Sequence, residues 1–177
     1  MMRALGPGSV STLLKVALDV AFIVLGLLTL VLAVGFVAAM FVPLDNLTVQ
    51  VDDAGGLREV AVTRALVLLG LGASAAYFGG FATILHRLRL IFRTLTLGDP
   101  FQSENVRRLR EIGAVMVLIT VGVWVVRALV LRLAPGVIES QSVTELLTPV
   151  FSVLVVFVLA EVFREGARLR QEADLTI

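Results

Sequence analysis

Four long apolar runs, at residues 16–42, 64–85, 112–133 and 146–163, are separated by shorter polar intervals. Each is long enough, and poor enough in charge, to read as a membrane-spanning helix. The first run rises about 40 Å if helical, against roughly 30 Å of hydrocarbon, so it tilts or protrudes. The second does not stop at its apolar edge. Leu85, Leu88, Ile91 and Leu95 continue an apolar stripe, while His86, Arg89 and Arg93 fall on the opposite face, predicting an amphipathic extension. The third and fourth runs carry similar polar extensions, one before residue 112 and one after residue 163.

Between the first two runs the pattern changes from helical to alternating. Residues 47–51 and 57–62 alternate apolar with polar positions, and Asp52-Asp53-Ala54-Gly55-Gly56 between them is turn chemistry. A small β-hairpin is predicted there. Ser142-Val143-Thr144-Glu145 has the form of a capping box and places the fourth helix start near Val143. Pro149 then falls in the second turn, where it predicts a kink.

Composition agrees with the spans. The chain has 177 residues, 58% of them hydrophobic and 16% charged, with a mean hydropathy of +0.99. A soluble domain carries roughly 25% charged residues. Nothing calls for a second domain, so residues 1–177 are read as a single integral membrane domain. The formal net charge of +1 gives no global field for nucleic acid. What matters is where the charges lie. If four spans cross, both termini share a side with eleven Lys and Arg residues, and the other side has four: Arg58, Arg64, Arg127 and Arg132. The positive-inside rule puts the termini in the cytoplasm and the hairpin outside. The fold class is therefore an all-α membrane protein, a four-transmembrane-helix bundle with a small external β-hairpin between helices 1 and 2.

Candidate chemistry is sparse. There is no cysteine and His86 is the single histidine, which removes thiolate catalysis, zinc–thiolate sites and most general-base arrangements. Gly70-Leu71-Gly72-Ala73-Ser74-Ala75 fits a loose dinucleotide pattern, but it lies inside an apolar run rather than between strand and helix. Gly72, Ala76 and Gly80 recur every fourth residue and instead read as a helix-packing face. No catalytic residue, cofactor or metal is expected, and the chain reads as a non-enzyme. Three charges, Asp19, Arg127 and Glu161, fall within or near the spans, where ion paths are often marked. Each is close to a span end, so pairing or snorkelling accounts for them at lower cost.

The polar interval after the second run is the most structured part of the sequence. Gly98, Asp99 and Pro100 read as a helix-to-helix corner, with Asp99 as N-cap and Pro100 at N1; Ser103 competes as N-cap and leaves Phe101 as an anchor. Glu104 with Arg108 and Arg107 with Glu111 are i,i+4 pairs in the favourable order. Val106, Leu109 and Gly113 share one face. Arg89, Arg93, Arg107, Arg108 and Arg110 form a basic group for anionic headgroups or a protein partner.

The run Gly98-x-Pro100-Phe101-x-x-Glu104-Asn105-Val106-Arg107-Arg108-Leu109-Arg110-x-Ile112-Gly113 resembles the hallmark of a bacterial membrane family called domain of unknown function 2975. The closing Phe163-Arg164-Glu165-Gly166-Ala167-Arg168-Leu169-Arg170-Gln171-Glu172-Ala173-Asp174-Leu175-Thr176-Ile177 is similar to that family's ending. One departure is Gln102, where a capping serine is expected. The resemblance implies a multi-pass protein of the bacterial inner (cytoplasmic) membrane with no established activity. Its members are often encoded beside small helix-turn-helix regulators, which implies a membrane partner or restrainer of a cytoplasmic transcription regulator. Two other readings stand beside it: a small oligomeric transporter or channel subunit, with a homo-oligomer as partner, and a structural subunit of a membrane complex.

Overall fold

A computed structural model describes residues 10–43, 48–53, 56–61, 63–96, 101–135, 137–138 and 143–174. Four long apolar helices dominate it: α1 (Val10–Phe41), α2 (Arg64–Thr96), α3 (Ser103–Leu133) and α4 (Leu147–Asp174). All four have the length and composition to cross a membrane. At about 1.5 Å per residue, α2 with its 33 residues is roughly 50 Å long, so it outruns the hydrocarbon by several turns. The amphipathic extension after Leu85 is one unbroken helix with the span.

Between α1 and α2, β1 (Thr48–Asp53) pairs antiparallel with β2 (Gly56–Ala61). The register runs from Thr48 opposite Ala61 to Asp53 opposite Gly56.

The helices form a row in chain order rather than a bundle closed around one axis. Among the described residues, helix backbones approach closely only between α1 and α2, α2 and α3, and α3 and α4. Side chains of α2, α3 and α4 nevertheless share one core: Ile91, Leu109, Ile112 and Ala160 are buried, with Leu88, Met116, Val156 and Phe163 packed around them. Helix α1 lies outside that core against α2. Its Leu27, Leu30, Val31 and Val34 are more than half exposed. In water that surface would be a liability; in lipid the apolar exterior costs nothing, so an outer helix needs contact on one side only.

Small residues set the close approaches. A Cβ on Gly72 would lie 3.1 Å from the Phe36 ring of α1, one on Gly79 would lie 3.3 Å from Thr29 of α1, and one on Gly80 would lie 2.8 Å from Ile119 of α3. Gly72 and Gly79 are thus taken up against α1 and Gly80 against α3, whereas a Cβ on Gly70 would meet nothing within 4 Å.

Helix α4 starts later than the capping box implies. A 3-10 turn, Val143–Leu146, precedes it, and the α-helix begins at Leu147. Pro149 is therefore the third residue of the helix. The first four N–H groups of a helix have no intrahelical acceptor, so the missing N–H there breaks no α-helical bond.

Candidate functional site

The helix ends nearest the chain termini converge: the start of α1, the end of α2, the start of α3 and the end of α4. The basic residues lie at this end but apart, Arg89 and Arg93 between α1 and α2 and Arg110 between α3 and α4, and a polar tie joins α2 to α3. Asn105 is fully buried, with 0% of its surface exposed. Its Nδ2 donates to Thr94 Oγ1 at 2.6 Å, and the Thr94 hydroxyl donates onward to the Ile91 carbonyl at 2.7 Å. From the other side Arg108 donates through Nη1 to Asn105 Oδ1 at 2.8 Å and through Nη2 to Glu104 Oε2 at 2.8 Å. Asn105 thus fastens the first turn of α3 to the last turn of α2, with Arg108 held in place by Glu104 within α3. A buried amide needs such partners, since an unmet hydrogen bond costs about 1–3 kcal/mol.

The helix start differs from both capping expectations. Helix α3 begins at Ser103, and the N-cap is Gln102 in extended conformation (φ −66°, ψ 139°) without a side-chain cap bond. The backbone N–H of Asn105 donates to the Gln102 carbonyl at 2.9 Å. Ser103 is inside the helix. Gly98, Asp99 and Pro100, the predicted corner, lie outside the described residues. Phe101 is an anchor: its ring centroid is 5.5 Å from that of Phe163, and it lies over Gly166 of α4, where an added Cβ would meet the ring at 2.6 Å. Gly113 receives the Phe157 ring in the same way, at 2.9 Å.

Ion pairs then divide the arginines. Arg89 Nε meets Asp19 Oδ1 at 2.6 Å, and its guanidinium lies 4.7 Å from the centroid of the Phe22 ring, so it ties α2 to α1. Arg87 meets Glu111 at 2.8 Å, tying α2 to α3, and Arg107 reaches the same carboxylate at 3.6 Å. Arg108 belongs to the Asn105 tie. Glu161 pairs with Arg164, and Arg168 pairs with Glu165 at 2.6 Å, both along α4. Of the five arginines in the predicted surface, Arg93 and Arg110 have no ion-pair partner among the described residues, and the same holds for Lys15.

Two hollows open among these groups. One lies between the start of α3 and the end of α4, about 460 Å³, lined by Ser103, Val106, Arg110, Arg164, Glu165 and Arg168 among others. The other lies between α1 and α2. Toward the opposite end the cavities are apolar: about 660 Å³ between α2 and α3, reaching Arg127, and about 490 Å³ among α2, α3 and α4, lined by Tyr77, Phe81 and Trp124.

The three membrane charges are not brought together. Asp19 and Glu161 lie at the terminal end on helices that do not touch, each in an ion pair, and Arg127 lies toward the other end. No group of three or more His, Asp or Glu side chains is assembled among the described residues. Thr94 is a site residue that sequence reasoning missed. Thr94 had no local signal, because its partner is eleven positions away across the corner.

No curated protein and no solved structure matches the chain. Residues 37–177, well over half of the chain and including both the Asn105 tie and the α3–α4 groove, match the family described as "protein of unknown function (DUF2975)", and the chain belongs to that family.

Proposed function

We infer that this is a non-enzymatic protein of the bacterial inner membrane that holds a small cytoplasmic helix-turn-helix regulator at its terminal end. Both termini lie in the cytoplasm and the Thr48–Ala61 hairpin lies outside. The orientation is supported by eleven basic residues on the terminal side against four on the other. The observation that carries the docking reading is the α3–α4 groove. It is built on helical extensions beyond the apolar spans, and it offers Arg110 unpaired among the described residues. The kind of partner rests on the gene neighbourhood that the family resemblance implies.

The test is co-purification in mild detergent with the small helix-turn-helix regulators encoded beside the gene. Arg107→Gln with Arg110→Gln should abolish capture; Arg108 is left in place because it belongs to the Asn105 tie. Capture that survives the double substitution would remove this surface from consideration. Orientation is checked separately: the chain has no cysteine, so single cysteines at Asp52 and Glu172 can be labelled in intact cells. Labelling of Glu172→Cys, but not Asp52→Cys, by an impermeant reagent would reverse the proposed topology.

A transporter or channel subunit is the second reading, favoured by the cavity of about 660 Å³ that reaches Arg127. It predicts that Asp19→Asn or Glu161→Gln abolishes flux into liposomes. The separate ion pairs of these two residues give it less support.

A further inference from the structure

The hollow between α1 and α2 differs in kind from the α3–α4 groove. Its volume is about 330 Å³, and its walls carry Lys15, Asp19, His86, Arg89 and Arg93, with Leu18 among its apolar lining. Three cations face one carboxylate. That carboxylate is already spent on Arg89, whose guanidinium is held further by the face of Phe22. A guanidinium has five N–H donors, more than one carboxylate can accept. Lys15 and Arg93 approach from opposite walls with no ion-pair partner among the described residues. Cations that serve only to set topology can point apart into water. Here they converge on a concave space.

The position supplies the second half of the argument. Lys15 immediately precedes the apolar run that starts at Val16, and Arg93 is on the polar face of the α2 extension. The hollow is therefore at the depth of the headgroups, and Leu18, in the first turn of the apolar run of α1, lines it on the side that leads to the acyl chains. A volume near 300 Å³ is at the lower end of ordinary small-molecule sites, which run from about 300 to 1,000 Å³. We propose that this cleft is a binding site for a phosphoryl group carried by an anionic phospholipid, with Lys15 and Arg93 as its free cations and Arg89 as its fixed one. The site needs only that the apolar helices sit in a bilayer and is independent of the regulator reading.

Native mass spectrometry of the full-length protein, offered phosphatidylglycerol and phosphatidylcholine of matched chains, tests this. The wild type should retain one phosphatidylglycerol in preference. Basic residues near a membrane surface are worth about 1 kcal/mol each, so Lys15→Gln with Arg93→Gln should weaken retention about thirtyfold. Arg132→Gln, a cation at the opposite end of the helix row, should leave it unchanged. Asp19→Asn removes the competing carboxylate and should raise retention, a change of sign that general damage to the fold would not produce. Excess inorganic phosphate separates the two sources of the group: displacement of the lipid assigns the cleft to phosphoryl groups in general, and persistence assigns it to the lipid ester. Equal retention of the two lipids by the wild type, or undiminished retention by the Lys15/Arg93 variant, would overturn the site.

Discussion

The two ends of the helix row solve different problems. At the terminal end α2, α3 and α4 close on Ile91, Leu109, Ile112 and Ala160, and the buried Asn105 ties two of them through hydrogen bonds. At the other end the same helices leave apolar cavities of about 660 and 490 Å³, with Trp124 and Tyr77 both about two-fifths exposed. Apolar surface inside a bilayer gains little by leaving lipid, so packing there brings no large hydrophobic return. Where helices emerge among headgroups and water, burial and polar satisfaction decide the structure again. The difference teaches that the arrangement of this fold is specified mainly at one end, the end that carries the candidate sites.

The strongest test of that contrast is Asn105→Leu. It leaves Thr94 and the Arg108 guanidinium without their buried acceptor or donor, and the loss of a neutral and a charge-assisted bond together should cost about 3 kcal/mol. The thermal midpoint in detergent should fall clearly. Trp124→Ala, at the open end, should lower it much less. Equal losses for the two substitutions would mean that the terminal end is not where the fold is held.

Two glycines of one helix sharpen the comparison. A Cβ on Gly113 meets the Phe157 ring at 2.9 Å, whereas one on Gly122 meets nothing within 4 Å. Gly113→Leu should therefore destabilise by about 2 kcal/mol through overpacking. Gly122→Leu should be neutral or slightly stabilising, since leucine is a better helix former. Paired melts of the two variants check this on a common background. A smaller effect is expected from Asp19→Asn on stability. The Asp19 and Arg89 side chains are both about one-third exposed, so the pair contributes under about 1 kcal/mol. A loss well above that would mean that α1 is attached mainly by this ion pair and not by Phe36 and Thr29 against the α2 glycines.

Much of the fold was legible because hydrophobic periodicity and length act locally. The spans, the uninterrupted extension of α2, the shared face of Val106, Leu109 and Gly113, and the Glu104–Arg108 pair all follow from spacing along one helix. What was not legible depends on which helices meet. Of the five arginines, Arg107 and Arg108 have partners at i,i+4 spacing, but Asp19 lies 70 positions before Arg89, so no local pattern marks Arg89 as occupied and Arg93 as not. The outer position of α1 was hidden for a related reason: its apolar residues surround the helix, and lipid and protein faces look alike. The cap at Gln102 was missed because its backbone geometry, not its side chain, begins α3.

The smallest effect should come from Pro149, where sequence reasoning expected a kink. A proline in a helix interior costs about 3 kcal/mol by removing a hydrogen bond and clashing with the carbonyl four residues back. Both penalties require a preceding turn of α-helix. Pro149 is the third residue of α4, preceded by the 3-10 turn Val143–Leu146, so its absent N–H costs no α-helical bond. Pro149→Ala should consequently change the thermal midpoint by no more than about 0.5 kcal/mol equivalent. It also removes a ring that lines the cavity of about 490 Å³ along with Tyr77 and Trp124, enlarging it without touching the terminal end. A clear gain in stability would mean that the proline strains α4 after all. A clear loss would mean that the apolar cavity, despite its size, is packed tightly enough to hold the helices at that end, which would erase the contrast between the two ends.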